Sequence, residues 1–478
     1  MNDPAKRVMG LGFIIAAAML LQGCESAPQQ IDPLETAEIA QSDTAASVAV
    51  TEPKPSETIT LTLALTGQAR MQDVIDAFNA ADNGYQIEVR SYAKSSEGVP
   101  TEEEYHYADL AFLQDIMTTD EVDIVCSASV FDAAYYEILQ KKGAFADLYP
   151  FMEQDAEVNT STLNDHILQL NETDGKLYRL PTFYGAETLI GEAKYVGSKE
   201  NWTVDEFNSQ WKKRPGEFTI GGATQSEDIY YNVLRGNLNS FIDYENAQVH
   251  FDVPEFRRIL EFCNQFDSNH GNKGVYDYDL PSFVSQARID TFMYMTGVYS
   301  GDIDYTLVGY PSDNGEGAFF YDRDNSWSIS AKSSPEKQRG AWEFIRTFAT
   351  YEYQKSHVIE FVEFKSDPSK SFYTSERGFC VNNRAFDETV HEIMDGKYYH
   401  GTIESKGETI EITLPTQEDL DGTLRYFNTI NQWQAGCTYA LNTIINEEVM
   451  KYFAGDASLD ETANSIQSRA SLWISEQS

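Results

Sequence analysis

Residues 58–65 read TITLTLAL, the alternation of a strand, and Met71, Val74, Ile75 and Phe78 then fall at i, i+3, i+4 and i+7 on one helical face. The pattern repeats. Residues 86–92 (QIEVRSY) read as a second strand, residues 105–117 as a long helix, and residues 122–126 (VDIVC) as a third strand. Strand followed by helix, repeated, confines the chain to the α/β class and predicts a mainly parallel sheet with helices on both faces. Sheets of that kind collect ligands at the carboxyl ends of their strands. Here those ends run into Thr66-Gly67-Gln68 and Ser127-Ala128-Ser129, which makes Gln68, Ser127 and Ser129 candidate hydrogen-bonding groups.

About 420 residues lie beyond Thr58, more than one hydrophobic core holds, so two lobes are expected. The 76 acidic and 35 basic side chains give a net charge of -41, which argues against nucleic acid and against docking on anionic lipid. Aromatic residues make up 13% of the chain, 28 Tyr and 27 Phe among them, and rings with polar tips suit wet recognition surfaces as well as cores.

The N-terminal stretch carries Lys6 and Arg7, an apolar run over residues 8–21, and then Leu21-Gln22-Gly23-Cys24. A bilayer-spanning helix needs about 20 apolar residues, so the run reads as an export signal. Residues 1–23 are therefore expected to be a lipoprotein signal peptide. Cys24 would be the lipidated residue, because only a thiol there can take the diacylglyceryl group before cleavage. Residues 25–57 mix Ala, Ser, Thr, Pro and acids without a sustained period, and so read as a disordered tether completing the segment 24–57. Flexible-coil scaling gives it a reach of roughly 30 Å.

Helix starts are well marked. Thr203 and Glu206 form a capping box with Trp202 and Phe207 as a staple, Ser458 and Glu461 repeat the box, and Pro335 follows Ser334 at a first helical position. Trp202, Trp342 and Trp473 fall on expected buried stripes. Beyond Cys24, four cysteines remain: Cys126, Cys263, Cys380 and Cys437. Their spacing is too wide for a zinc site; free thiols are expected, with a Cys380–Cys437 disulfide as the alternative.

In this order the motifs resemble those of the family 1 extracellular solute-binding proteins of bacterial ABC importers, relatives of maltose-binding protein. The resemblance runs from Cys24 to the chain's end. It rests on the lipobox, VDIV, GAFADLYPFM (143–152), DGKLYRLP (174–181), WTVDEF, ARIDTFMYMTGVYSGD (287–302), VGYPSDNGEG, SWSISAKSSPEKQRGAWEFIRTF, GFCVNNRAF and the terminal EEVMKYFAGDASLDETANSIQSRASLWISEQ. Tyr299 stands where the family usually has Trp. The resemblance implies a type II periplasmic-binding-protein-like α/β fold, two lobes joined by crossover strands with a ligand cleft between them. Lobe 1 is expected over residues 58–182 plus 292–325, and lobe 2 over 183–291 plus 326–478 with C-terminal helices. YRLPTFYG would be the first crossing, TFMYMTG the return and NSWSISA the last.

Residues just past a crossing face the cleft, which makes Phe183, Tyr184, Tyr299 and Trp327 candidates to stack on a solute. Asp302, Asn325, Gln68, Ser127 and Ser129 would bond its hydroxyls, a set that suits a polyhydroxylated solute. The implied function is capture of a small solute, a carbohydrate in the first place, and delivery to an ABC-type permease. The protein would act as a monomer, lipid-anchored on the outer face of a Gram-positive cell membrane. It would have no cofactor, no metal and no catalytic residue. The alternatives are a surface-anchored glycan hydrolase or a binder of a peptide or other non-sugar solute. With 76 acids a carboxylate pair is nearly inevitable, so counting cannot support a hydrolase. The chain has no Gly-x-Ser-x-Gly, His-Glu-x-x-His or phosphate-cradling glycine loop, and YDRDN and PSDNGEG lack the full calcium-loop spacing.

Overall fold

The computed structural model describes residues 57–65, 71–92, 102–126, 133–234, 238, 240–244, 246–269, 274–291, 304–363, 372–397, 402–405, 408–411, 414–434 and 437–477. Cys24, the expected signal and the expected tether up to residue 56 lie outside them, as do Gln68, Ser127, Ser129, Tyr299 and Asp302.

The strands of the two main sheets are, in chain order, β1 (Ile59–Leu65), β2 (Tyr85–Ser91), β3 (Ile124–Cys126), β4 (Leu180–Pro181), β5 (Phe183–Glu192), β6 (Thr219–Ile220), β7 (Ser282–Ile289), β8 (Tyr305–Leu307), β9 (Phe319–Asp322), β10 (Ser326–Ile329) and β11 (Phe379–Cys380). The first sheet has the order β2-β1-β3-β10-β4; the second has β8-β5-β7-β6, with β9 and β11 also paired to β5.

The first sheet matches the expected class. Strands β2, β1 and β3 are parallel, and β10 runs antiparallel between β3 and β4. Helices cover both of its faces. Leu61, Leu63 and Ile87 pack with Ile75, Ala341, Trp342 and Phe344 on one side, and Ala64 and Val125 with Phe112, Ile116, Tyr136 and Leu139 on the other. The second sheet departs from the mainly parallel expectation. Strand β5 leaves the crossing while β7, β8, β9 and β11 run back toward it, so all four pair with it antiparallel.

Local signals hold at the helix starts. Thr203 and Glu206 exchange both bonds of the capping box, and the Trp202 and Phe207 rings lie 6.1 Å apart. Ser334 caps the helix Pro335–Ile345, and Ser458 and Glu461 bond reciprocally before Leu459–Gln477. Trp202 and Trp342 are buried as expected; Trp473 is half-buried, with Ile466, Ala470 and Ile474 filling the interior instead. All four described cysteines are free thiols.

Two short described links carry the chain from one sheet to the other, and a longer segment returns it from β10 in the first sheet to β11 in the second. Strand β4 is hydrogen-bonded into the first sheet and β5 into the second, so YRLPTFYG is a crossing. Strand β9 lies in the second sheet and β10 in the first, so the link before SWSIS is another. The expected return through TFMYMTG falls mostly outside the described residues, and the strands on either side of it, β7 and β8, both belong to the second sheet. Strand pairing puts β8 and β9 in the second sheet and β10 in the first, opposite to the lobes expected for those three strands, while β11 pairs in the second sheet as its expected lobe requires. The physical reason is that β8 and β9 both complete the open edge of β5, whereas β10 fills the gap between β3 and β4.

Candidate functional site

Register brings the carboxyl ends of four strands to the two crossings. Leu63 pairs with Ile124 and Ala64 with Val125, which sets Leu65 beside Cys126, while Cys126 itself pairs with Trp327 near the start of β10. Strands β1 and β3 thus end against the crossing. From the second sheet, β7 ends at Ile289 opposite Ala186, and β9 ends at Asp322 opposite Tyr184, close to the start of β5. The crossings are tied to each other: the Thr182 amide donates to the Asn325 carbonyl at 2.9 Å, and the Arg323 amide to the Phe183 carbonyl at 3.0 Å.

Four of the expected ligand contacts lie within this zone, and the structure surrounds them with protein. Phe183 and Trp327 are fully buried, and Tyr184 nearly so. Strand β5 is central, paired on both edges and covered on both faces, so neither of two adjacent rings is left to project outward. Tyr184 meets the edge of Phe320 at 5.6 Å and lies 5.8 Å from Phe379; burial, then the neighbouring Cys380, pushes its phenol well above the usual value. Trp327 stacks on Phe348 at 4.1 Å and donates its indole N–H to Thr182 Oγ1 at 3.1 Å. Asn325 is 6% exposed and accepts from Cys126 Sγ at 3.2 Å.

The partly open surface at the crossing is polar and was not singled out in the sequence. Along β7, Gln286 and Arg288 are exposed while Ala287 and Ile289 are buried. Arg288 lies directly opposite Glu187 on β5. Glu187 is 5% exposed and accepts from Arg288 Nε at 2.9 Å, Gln286 Nε2 at 2.5 Å and Tyr310 Oη at 2.8 Å. Next along that face stands Gly185, where a Cβ would lie 2.8 Å from Asp290 Cβ and 2.9 Å from Tyr321 Cζ. Glycine here lets Asp290 and Tyr321 close over the backbone. Tyr321 donates to Asp290 Oδ2 at 2.9 Å, and Arg323 Nε pairs with the same oxygen at 2.7 Å. Burial raises the Tyr321 phenol, the Asp290 carboxylate raises it further, and Arg288 and Arg323 pull it back.

A second layer lies beneath. Arg179, 4% exposed, donates from Nε and Nη2 to Asn171 Oδ1 and sits 3.7 Å from Asp322 Oδ2. Its guanidinium lies over the Tyr136 ring at 5.1 Å and the Trp433 ring at 5.3 Å. The acids of YDRDN are thereby engaged, Asp322 by Arg179 and Ser326, and Asp324 by Arg377 at 3.5 Å. Among the described residues, no group of three or more His, Cys, Asp or Glu side chains is placed to hold a metal ion.

The period-two polarity of SQARID and the glycine after two aromatics were the legible signals for this surface. Their meaning depended on Glu187 being the partner across the ladder. A separate polar hollow of about 580 Å³ opens on the flank of the first sheet beside Thr60, Thr62, Glu88 and Arg90. Both of its cations are engaged, Arg90 with Glu121 at 2.6 Å and Lys337 with the buried Asp123 at 2.8 Å, and it lies away from the crossings.

No curated protein sequence matches the chain. Among solved structures, it is similar to a periplasmic oligogalacturonide binding protein from Yersinia enterocolitica, with a TM-score of 0.53 and 14% identity over 88% of this chain and 100% of that one. It is also similar to the sugar-binding protein MalE from the phytopathogen Xanthomonas citri, with a TM-score of 0.50 and 11% identity over 87% and 98% of the two chains. At these identities the likeness concerns the fold, and it agrees with the type II binding-protein architecture of two α/β sheets with crossing strands. The profile of the bacterial extracellular solute-binding proteins matches residues 73–360, well over half of the chain. Fold, crossings and matched span agree: the chain belongs to the family of bacterial extracellular solute-binding proteins.

Proposed function

We propose that the protein captures a carbohydrate in the cleft at its crossing strands and delivers it to an ABC-type permease. The observation that carries the reading is the convergence of the carboxyl ends of β1, β3, β7 and β9 on two crossing links that are bonded to each other. Strand ends of two sheets meeting at short links are the geometry of a hinge clamp, in which the sheets close on a ligand. The carbohydrate class is supported by relatives of this fold named for oligogalacturonide and sugar binding, and by a polar surface of guanidinium, carboxylate, amide and phenol groups suited to hydroxyls.

In this reading residues 58–182 and the strand β10 belong to one lobe, and β5 to β9 to the other. Cys24 carries the lipid, residues 25–57 form the tether, and the receptor stands on the outer face of a Gram-positive membrane as a monomer. Two acyl chains suffice for stable anchoring. The protein does no chemistry on its ligand.

The test is thermal unfolding of the full chain against a panel of neutral and acidic oligosaccharides, peptides and polyamines. A ligand bound only by the native state at a hundred times its Kd adds about 2.7 kcal/mol of stability. The expected result is a shift with a carbohydrate, which chromatography then recovers unaltered. A shift confined to peptides or polyamines, or a hydrolysed carbohydrate, overturns the reading.

A further inference from the structure

Arg288 and Arg323 are held in an unusual way. Each guanidinium meets its acid at Nε, Arg288 hydrogen-bonded to Glu187 Oε2 at 2.9 Å and Arg323 in an ion pair with Asp290 Oδ2 at 2.7 Å that is not aligned as a hydrogen bond. Among the described residues, neither makes a further bond from its terminal nitrogens. Both lie at one phenol, Arg288 with its guanidinium carbon 5.7 Å from the Tyr321 ring centre, and Arg323 on the carboxylate oxygen that takes the Tyr321 hydroxyl. Both are accessible, with the Arg288 side chain 60% exposed and that of Arg323 34%.

In a chain of 76 acids and 35 bases, a second acid could readily have covered either fork. Instead Glu187 spends its other oxygen on Gln286 and Tyr310, and Asp290 shares one oxygen between Tyr321 and Arg323, so each acid meets its guanidinium at Nε and, among the described residues, leaves the Nη pair unbonded. The planar fork with two parallel N–H donors matches a carboxylate, where it bonds twice, better than a hydroxyl, where it bonds once.

We propose that Arg288 and Arg323 form a guanidinium clamp for a carboxylate on the solute, so that the captured carbohydrate is an acidic one, a uronate-bearing mono- or oligosaccharide. This rests on the capture reading above. Glu187, Asp290 and Tyr321 are positioning residues that hold the forks open.

The test is calorimetric binding to the full chain with four probes: trigalacturonate, its methyl ester, maltotriose and citrate, a carboxylate that is not a sugar. The variants are Arg288→Gln, Arg323→Gln and the charge-preserving Arg288→Lys, each checked for an unaltered melting temperature. The expected result is binding of trigalacturonate at least about tenfold tighter than of its ester, weakened by added salt. Either Gln variant should lose roughly tenfold to a hundredfold in affinity, as for removal of a charge-assisted bond, with Arg288→Lys in between.

Ester or maltotriose bound as tightly as the acid, unaffected by the Gln variants, overturns the clamp and leaves carbohydrate capture standing. Citrate alone bound, in an Arg288-dependent manner, supports the clamp and overturns the carbohydrate class. No binding of any probe overturns the proposal of a uronate ligand.

Discussion

Replacing Trp327 separates a ring that holds the fold from a ring that holds the solute. The residue is fully buried on β10, stacked on Phe348 at 4.1 Å with an interplanar angle of 22°, and edge-on to Phe344 at 5.7 Å. Its N–H serves the hydroxyl of Thr182, a crossing residue that is itself 1% exposed. Trp327→Phe keeps the stack but leaves the Thr182 hydroxyl without its donor, at about 1 to 2 kcal/mol, and opens a cavity in place of the lost ring atoms, at about 1 to 2 kcal/mol more. The expected loss is therefore about 2 to 4 kcal/mol. Trp327→Ala removes the Phe348 stack and the Phe344 edge contact as well and should cost about 4 to 6 kcal/mol, a large part of the 5 to 15 kcal/mol that typically holds a domain. Urea unfolding of the full chain, followed by circular dichroism, reads the loss as a fall in midpoint at constant slope. Calorimetry with the carbohydrate found in the thermal screen should give an affinity per folded molecule within about threefold of the parent, less than the tenfold that corresponds to about 1.4 kcal/mol. An unchanged midpoint together with affinity weakened tenfold or more would show the indole on the solute, and the burial argument would be wrong.

Gly185→Ala should cost about 1 to 3 kcal/mol by overpacking, because its Cβ would press on Asp290 and Tyr321; a melting temperature equal to that of the parent would count against the close approach. Tyr184→Phe removes only a hydroxyl that Asn164 Nδ2 reaches at 3.4 Å, so stability should change by less than about 1 kcal/mol and affinity not at all, and a large loss of binding would return this ring to the ligand. Asp155 is buried, which alone would raise its carboxyl, but the Arg346 guanidinium and the amides of Val158 and Glu157 outweigh burial and hold it below its usual value. Its contribution to stability is thus present above the unfolded carboxylate value near pH ~3.9 and lost as pH falls through the lower folded value. Asp155→Asn should be weaker than the parent at neutral pH, and the gap should close as urea midpoints are taken below about pH 4; a gap that widens in acid would refute the sign. Cys24→Ala should abolish both lipidation and the cleavage that follows it, so that no lipidated mature form is recovered; membrane-bound protein of unaltered mature size would remove the lipid anchor.

What the sequence settled about this protein is what neighbouring residues settle among themselves. The alternation in TITLTLAL, the stripe of Met71 and Ile75 and the capping box of Thr203 and Glu206 all appear where the spacing puts them, because each rests on contacts within a few residues. The ordered motifs carried the family and the two-sheet class further than any one of them could. The crossing at YRLPTFYG was legible as well, since a turn, a proline and a strand follow in sequence.

Tertiary structure alone decided which faces are covered. Phe183, Tyr184 and Trp327 read as candidate platforms because flat rings beside a crossing suit a sugar in the cleft, and they are core because β5 and β10 are central strands whose neighbours arrive from far along the chain. Trp327 meets Thr182 across 145 residues, and Glu187 meets Arg288 across 101. A period of two reports that Gln286 and Arg288 share a face of β7, but not whether that face is buried, solvated or turned to a ligand. That outcome depends on which strand pairs on each side and what packs above it, and such pairing is fixed by the burial energy of the whole sheet rather than by any local run of residues.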